Sequence, residues 1–226
     1  MNKATTYNLS LVWDGEDRAA PQLGVLCEIE MELYLRSTET IDWQTPAVLD
    51  QAQKLAIDAC GPTEIARVCF EWVRDYIQHS GDHEATVTTC RASEVLAEGT
   101  GWCFAKSHLL AALLRANGIR AGLCYQRLCR DDGIGFTLHG LNAVHLPEIG
   151  WYRIDGRGNK PGVDAQFCPP QEKLAFPPQE DGELDFPEIW PDSVPVVVEC
   201  LQRFEGWGEV NANLPDIAMV KSPQNQ

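Results

Sequence analysis

Residues 99–118 read GTGWCFAKSHLLAALLRANG and place a thiol where a glycine-rich loop turns into an apolar helix. Cys103 therefore stands where a nucleophile is best served. The unpaired N–H groups of a first helical turn, and the positive end of the helix dipole, favour a thiolate over a thiol. Gly99 and Gly101 permit a tight bend and close approach of a substrate. The apolar helix behind holds the thiol on a rigid platform. Free cysteines are also among the most buried residues, and the chain has nine. The thiol alone supports packing as readily as attack, so its reading depends on a base and a group that orients the base.

Five histidines are available. His108 lies on the same helix, five residues on and roughly on the far side, and reads as packed or surface. His79 and His83 end a preceding helix, where positive charge is tolerated without function. As an i, i+4 pair they could ligate a metal, but no third and fourth ligand follows. His139, Leu141, Ala143 and His145 share one parity of a strand, which turns His139 toward small apolar neighbours and the core helix. Asp155 ends the next strand. Cys103, His139 and Asp155 then supply nucleophile, base and orienter. Trp102 either walls a substrate site or packs beside the helix start. Lys106, Asn142, Arg157 and Asn159 lie near these motifs and read as surface or turn residues.

These groups need elements to position them. Tyr7–Trp13 and Val25–Leu35 alternate with period two and predict two N-terminal strands joined by DGEDRAAPQLG, a β-hairpin. Helices are predicted from Thr45 to Gly61, from Ile65 to Ile77, over 92–98 and over 103–117, the last apolar on all sides and therefore central. Strands follow at 120–128, 137–146 and 151–155, with turn signals at Asp131-Asp132-Gly133 and 147–150. Residues 168–195, rich in Pro, Asp and Glu, predict an ordered surface loop, and 193–207 a last helix. Helices first and antiparallel strands afterwards predict an α+β fold.

The 226 residues suit one substantial domain, divided as N-terminal strands (1–35), a helical part (36–100), a catalytic core (101–168) and an acidic loop with a C-terminal helix (169–226). A hydrophobic content of 44% excludes a disordered chain. A net charge of −15 repels phosphate backbones and anionic lipid, which sets nucleic-acid and membrane-surface roles aside. No apolar run is long enough to span a bilayer, and the first 17 residues lack the apolar region of a secretory signal. Unpaired cysteines without an export signal predict a reducing cytoplasm.

The sequence resembles the transglutaminase-like superfamily. GTGWC opens a helix backed by LLAALLRANGIRA, and a histidine is followed eleven and twelve residues on by Gly-Trp, with an aspartate four residues after the Trp. YLRSTETIDW, HGLNAVHLPEIGWYRIDGRGNKPGVDAQF and LAFP match the small bacterial single-domain branch, over roughly residues 34–200. The resemblance implies a papain-like core, a nucleophile helix packed on an antiparallel sheet. It implies Cys103 as nucleophile, His139 as base and Asp155 as its partner. Two positions depart from the family pattern: Leu141 stands where an aromatic is common, and Gly156-Arg157 where a Pro is common.

The strand pairing carries a condition. A tight hairpin at 147–150 would set Leu146 opposite Trp151 and Asp155 opposite Asn142, on the face away from His139. A triad needs 139 or 141 opposite 155, so a longer loop or a bulge is predicted near 144–150. The leading expectation is a thiol hydrolase or acyltransferase, a peptidase or amidase acting on a peptide or protein amide through a thioester. A silent binding domain that keeps the fold is the alternative. A zinc protein using Cys124 and Cys129 is a third, though their spacing matches no usual knuckle. No cofactor or metal is expected, no loop has the Asp-rich spacing of a calcium site, and the oligomeric state is not encoded legibly.

Overall fold

The computed structural model describes residues 31–130 and 132–217. After a helical turn at 31–35, the described residues continue with α1 (Pro46–Ala56), α2 (Pro62–Tyr76) and α3 (Ala92–Glu98). Both α1 and α2 open on a proline, whose missing N–H is one that a first turn leaves unpaired anyway. α2 starts sooner than its apolar periodicity indicates, at Pro62 directly after Gly61. The short strands β1 (Gln78–His79) and β2 (Thr100–Gly101) pair in parallel and bring the end of α2 beside the start of α4 (Cys103–Ala116).

α4 is the central element. Cys103 through Arg115 are all buried, as an all-round apolar sequence requires. The one guanidinium at its end is hydrogen-bonded by carbonyls: Arg115 donates to Ala121, Arg36 and Pro191 at 2.6–3.0 Å. An antiparallel sheet follows in the order β5-β4-β3-β8, from β3 (Ala121–Cys129), β4 (Phe136–Leu146), β5 (Gly150–Ile154) and β8 (Leu184–Asp185). A separate hairpin joins β6 (Gln166–Cys168) to β7 (Gln171–Lys173). The fold is α+β, with the helices packed on an antiparallel sheet.

The two faces of the sheet are covered differently. Leu138, Val144 and Leu146 of β4, and Leu123 and Tyr125 of β3, join α4 in the main core. On the other face Cys124, Leu141 and Ala143 form a small cluster under Leu174, Ile189 and Trp151. The 168–195 segment, expected as a loop, carries β7 and β8 and lays Leu174 and Ile189 over the second face.

Two sequence expectations change. The alternating run at 25–35 does not end as a strand: residues 31–35 form a helical turn, with the Tyr34 N–H bonded to the Met31 carbonyl at 3.2 Å. Alternation there reflects a segment with one buried side chain, Tyr34, and not a ladder. The strand expected at 7–13 and the first part of 25–35 lie outside the described residues. The last helix is two helices, α5 (Pro195–Arg203) and α6 (Gly206–Ala212), separated by extended backbone at Phe204 and Glu205.

Candidate active site

Gly99 ends α3 in the left-handed conformation, with φ at 67°, and this lets the chain turn at once into β2 and the head of α4. Trp102 caps α4 with extended backbone and no side-chain cap. The backbone N–H of Cys103 is therefore among the open donors of the first turn. Cys103 itself is buried.

His139 reaches the thiol by a route the strand pattern alone does not show. The His145 N–H bonds the Arg120 carbonyl on the β3 side, so odd-numbered amides of β4 point at β3 and even-numbered ones at β5. Asn142 is the last partner of β5, opposite Ile154. Past it, the Gly140 N–H has no strand to meet, and donates to Cys103 Sγ at 3.4 Å. Glycine is required at 140 because a Cβ would sit 2.7 Å from Phe104 Cδ1 and 3.1 Å from Phe104 Cα. The thiol thus occupies the edge that β5 vacates.

Even-numbered residues of β4 face the helix: Asn142 Nδ2 donates to the Ser107 carbonyl at 2.9 Å. His139 lies on the opposite parity, with Leu141 and Ala143, so its strand face is not the one against the core helix, contrary to the sequence expectation. Thiol and imidazole approach the sheet from opposite faces and meet at its edge.

β4 and β5 pair with Leu146 opposite Gly150. The loop is three residues, Pro147–Ile149, with Glu148 at φ 66° and Gly150 at φ 81°. The required parity is met by a loop shorter than the tight hairpin, not by the longer loop or bulge expected. One step further along the same register sets Asp155 abreast of Leu141, on the His139 face.

There His139 Nε2 and Asp155 Oδ2 are 2.8 Å apart. Asp155 is fully buried and accepts two further N–H bonds, from Arg157 at 3.1 Å and Ala175 at 3.2 Å. Burial alone would raise its pKa, but the charge and hydrogen bond of His139 and these two amides hold it below the usual carboxylate range. Burial likewise disfavours a charged His139, yet the charges of Asp155 and Cys103, and the hydrogen bonds to both, push the imidazole up to about 10. With Nε2 committed to Asp155, Nδ1 is left for proton exchange with the thiol. Phe176 meets the imidazole edge-on at 5.1 Å between centroids.

Other thiols differ. Burial pushes Cys69, Cys90 and Cys124 up to about 12 and Cys200 to about 11, so they stay protonated. Cys60 and Cys168 are exposed. Among the described residues no three His, Cys, Asp or Glu side chains converge as metal ligands, and no helix is long and apolar enough to cross a membrane.

Trp102 is buried, edge-on to His79 at 5.3 Å, with its outer ring against Gly81. These are packing contacts, and among the described residues the indole N–H has no hydrogen-bond partner. His108 is packed too, its Nδ1 2.7 Å from the Cys90 carbonyl oxygen. Three residues expected at the surface or in turns are buried instead: Lys106, Asn142 and Arg157. Lys106 donates to the Ile77 carbonyl, and burial first, then Arg157, lowers its pKa to about 7. Its one legible signal was its place in a helix apolar on every side. Asp82 and Arg157, an ion pair spanning 75 residues of chain, had no local signal at all.

Residues 50–156 match the family model described as the transglutaminase-like superfamily, a span that contains Cys103, His139 and Asp155. No curated protein matches the chain. Among solved structures, a candidate cysteine protease of Cytophaga hutchinsonii is 16% identical, with 61% of this chain and 45% of that one covered and a TM-score of 0.49. The periplasmic domain of TgpA from Pseudomonas aeruginosa is 17% identical, covering 58% and 48%, with a TM-score of 0.44. Red sea bream transglutaminase is 14% identical, covering 56% and 26%, with a TM-score of 0.36. The chain thus spans less than half the length of each of these structures.

Proposed function

We propose that this chain, whose residues 50–156 form a transglutaminase-like core, is a cysteine-dependent amide hydrolase or acyltransferase. One observation carries the reading: the 2.8 Å contact of His139 with Asp155 lies beside a thiol that accepts the Gly140 N–H. Helix, strand and post-strand turn each contribute one group of the set.

The chemistry follows from those positions. His139 Nδ1 takes the Cys103 proton, and Asp155 holds the ring in that tautomer and stabilises the imidazolium. The thiolate adds to a carboxamide or peptide carbonyl. The Cys103 N–H donates to the oxyanion from the helix terminus. His139 then protonates the departing amine, leaving a thioester on Sγ. Water attacks it in hydrolysis, or an amine in acyl transfer, with His139 removing the nucleophile's proton; the C–S bond then breaks and Cys103 departs as thiolate beside the imidazolium. Water is the default acceptor, so a peptide or protein amide and a peptidase or amidase reaction are the first assignment, in a reducing cytoplasm.

Iodoacetamide alkylation followed residue by residue with mass spectrometry tests this. Cys103 is expected to react at least about tenfold faster than the exposed Cys60 and Cys168 at pH 6, where ordinary thiols are protonated. Turnover in a peptide and amide library should vanish in Cys103→Ala. If Cys103 reacts no faster than Cys60 and no amide is turned over, the chain is instead a silent binding domain with this fold.

A further inference from the structure

The site has two sides that come from different parts of the chain. On the nucleophile side, β1 sets His79 opposite Gly101, and the His79 ring packs edge-on against Trp102, the residue that caps α4 before Cys103. Asp82 follows on the same tight turn, its N–H bonded to the His79 carbonyl at 3.0 Å and its Oδ2 3.7 Å from His79 Nδ1. On the base side, the turn after β5 carries Asp155 and Arg157, and the Arg157 N–H donates to Asp155 Oδ1. The Arg157 guanidinium lies over the Phe176 ring at 5.6 Å, and Phe176 meets His139 edge-on.

Asp82 joins the sides directly. Arg157 donates to Asp82 in fork geometry, Nη1 to Oδ2 at 2.6 Å and Nη2 to Oδ1 at 2.9 Å, with Lys160 adding a bond to Oδ1 at 2.7 Å from the rim. Such a planar, two-bonded pair fixes orientation as well as distance, which a single point charge does not. The Arg157 side chain is only 7% exposed and that of Asp82 24%, so solvent screens the pair little. Burial alone would raise the Asp82 pKa, but the bonds from Arg157 and Lys160 hold it well below the usual carboxylate range. The pair therefore stays charged throughout the pH range of a neutral or mildly acidic assay.

We propose that Arg157 is a positioning residue that, through its paired bonds to Asp82, locks the Asp155 turn and the Phe176 ring against the His79–Trp102 wall and so sets the placement of His139 against Cys103. The inference rests on the thiol-enzyme reading above. Arg157 touches neither thiol nor imidazole. It acts on Asp155 through its own amide and on His139 through Phe176.

The test is the pH profile of Cys103 alkylation by iodoacetamide in the full chain, read by mass spectrometry, for Arg157→Met, Arg157→Lys, Asp82→Asn and the double variant Asp82→Asn/Arg157→Met. A looser Asp155 supports the imidazolium less, so both single variants lacking the paired bonds should shift the acid limb to higher pH and lower the rate at pH 6 by about tenfold. Arg157→Lys keeps a charge but not the fork, and should fall between. The double variant should be no slower than the slower single variant, because both remove one link. Asp82→Asn preserves shape and guards against a fold lost in Arg157→Met, with circular dichroism as the check. Profiles of both single variants that superimpose on the wild type overturn the proposal, and so does a double variant whose losses multiply. A wild type without a fast Cys103 overturns the enzyme reading and this one with it. A fast wild type with unmoved variants overturns this one alone.

Discussion

Leu146 lies directly opposite Gly150, and this register decides which face of the sheet receives Asp155. Side chains alternate faces at every step, so one residue more or less in the Pro147–Ile149 loop inverts the face of everything after it. Inserting one glycine after Glu148 is expected to carry Asp155 away from His139, or to break the β5 pairing. Rapid alkylation of Cys103 should be lost, while far-ultraviolet circular dichroism keeps its helical signal, because α1 to α4 precede the change. Retained fast alkylation would show that the register is not what aligns the pair.

The His139–Asp155 pair makes stability depend on pH in a defined window. The imidazole is pushed up to about 10 from an ordinary 6.5. Its contribution is complete below about 6.5 and lost as pH climbs through about 10. Asp155 is held below its ordinary 3.8, so its contribution is present above that value and lost on acidification. Urea unfolding of wild type and His139→Gln should therefore differ most between about pH 4 and 6.5, with the gap closing toward pH 10. A gap that stays constant from pH 6 to 10 is the opposite result, and means the imidazole is neutral in the folded chain.

Gly140 touches the first turn of α4 closely enough that a methyl group does not fit. The added Cβ would meet backbone atoms of Phe104 at 3.1 and 3.2 Å, not just a movable ring edge. Gly140→Ala should cost about 1–3 kcal/mol, the usual range for overpacking, and push the helix start, with its thiol, away from His139. Denaturant unfolding measures the first effect and Cys103 alkylation the second. A variant with unchanged midpoint and unchanged rate would mean that the helix start has room to spare.

Several features of this protein follow from local sequence alone. A helix apolar on all sides has nowhere to lie but the centre, and α4 is buried from Cys103 to Arg115. A glycine-rich entry with a cysteine at the first turn sets the thiol at a helix terminus, and period-two alternation identifies β3, β4 and β5. The order Cys103, His139, Asp155 was legible because each sits at the end or middle of an element that its own neighbours specify.

Other features depend on groups far apart in the chain. Alternation assigns parity but not which parity meets the helix, so the expected face of His139 was inverted. Loop length alone does not give register, because a three-residue loop with left-handed backbone at Glu148, followed by left-handed Gly150, satisfies the same parity as a longer one. Lys106, Asn142 and Arg157 read as surface polar groups until tertiary packing supplied the Ile77 carbonyl, the Ser107 carbonyl and the Asp82 carboxylate as partners. Local sequence specifies elements through short-range sterics and amphipathic periodicity. The meeting of thiol and imidazole at the edge of β4 is decided by where β5 ends, which only the assembled sheet determines.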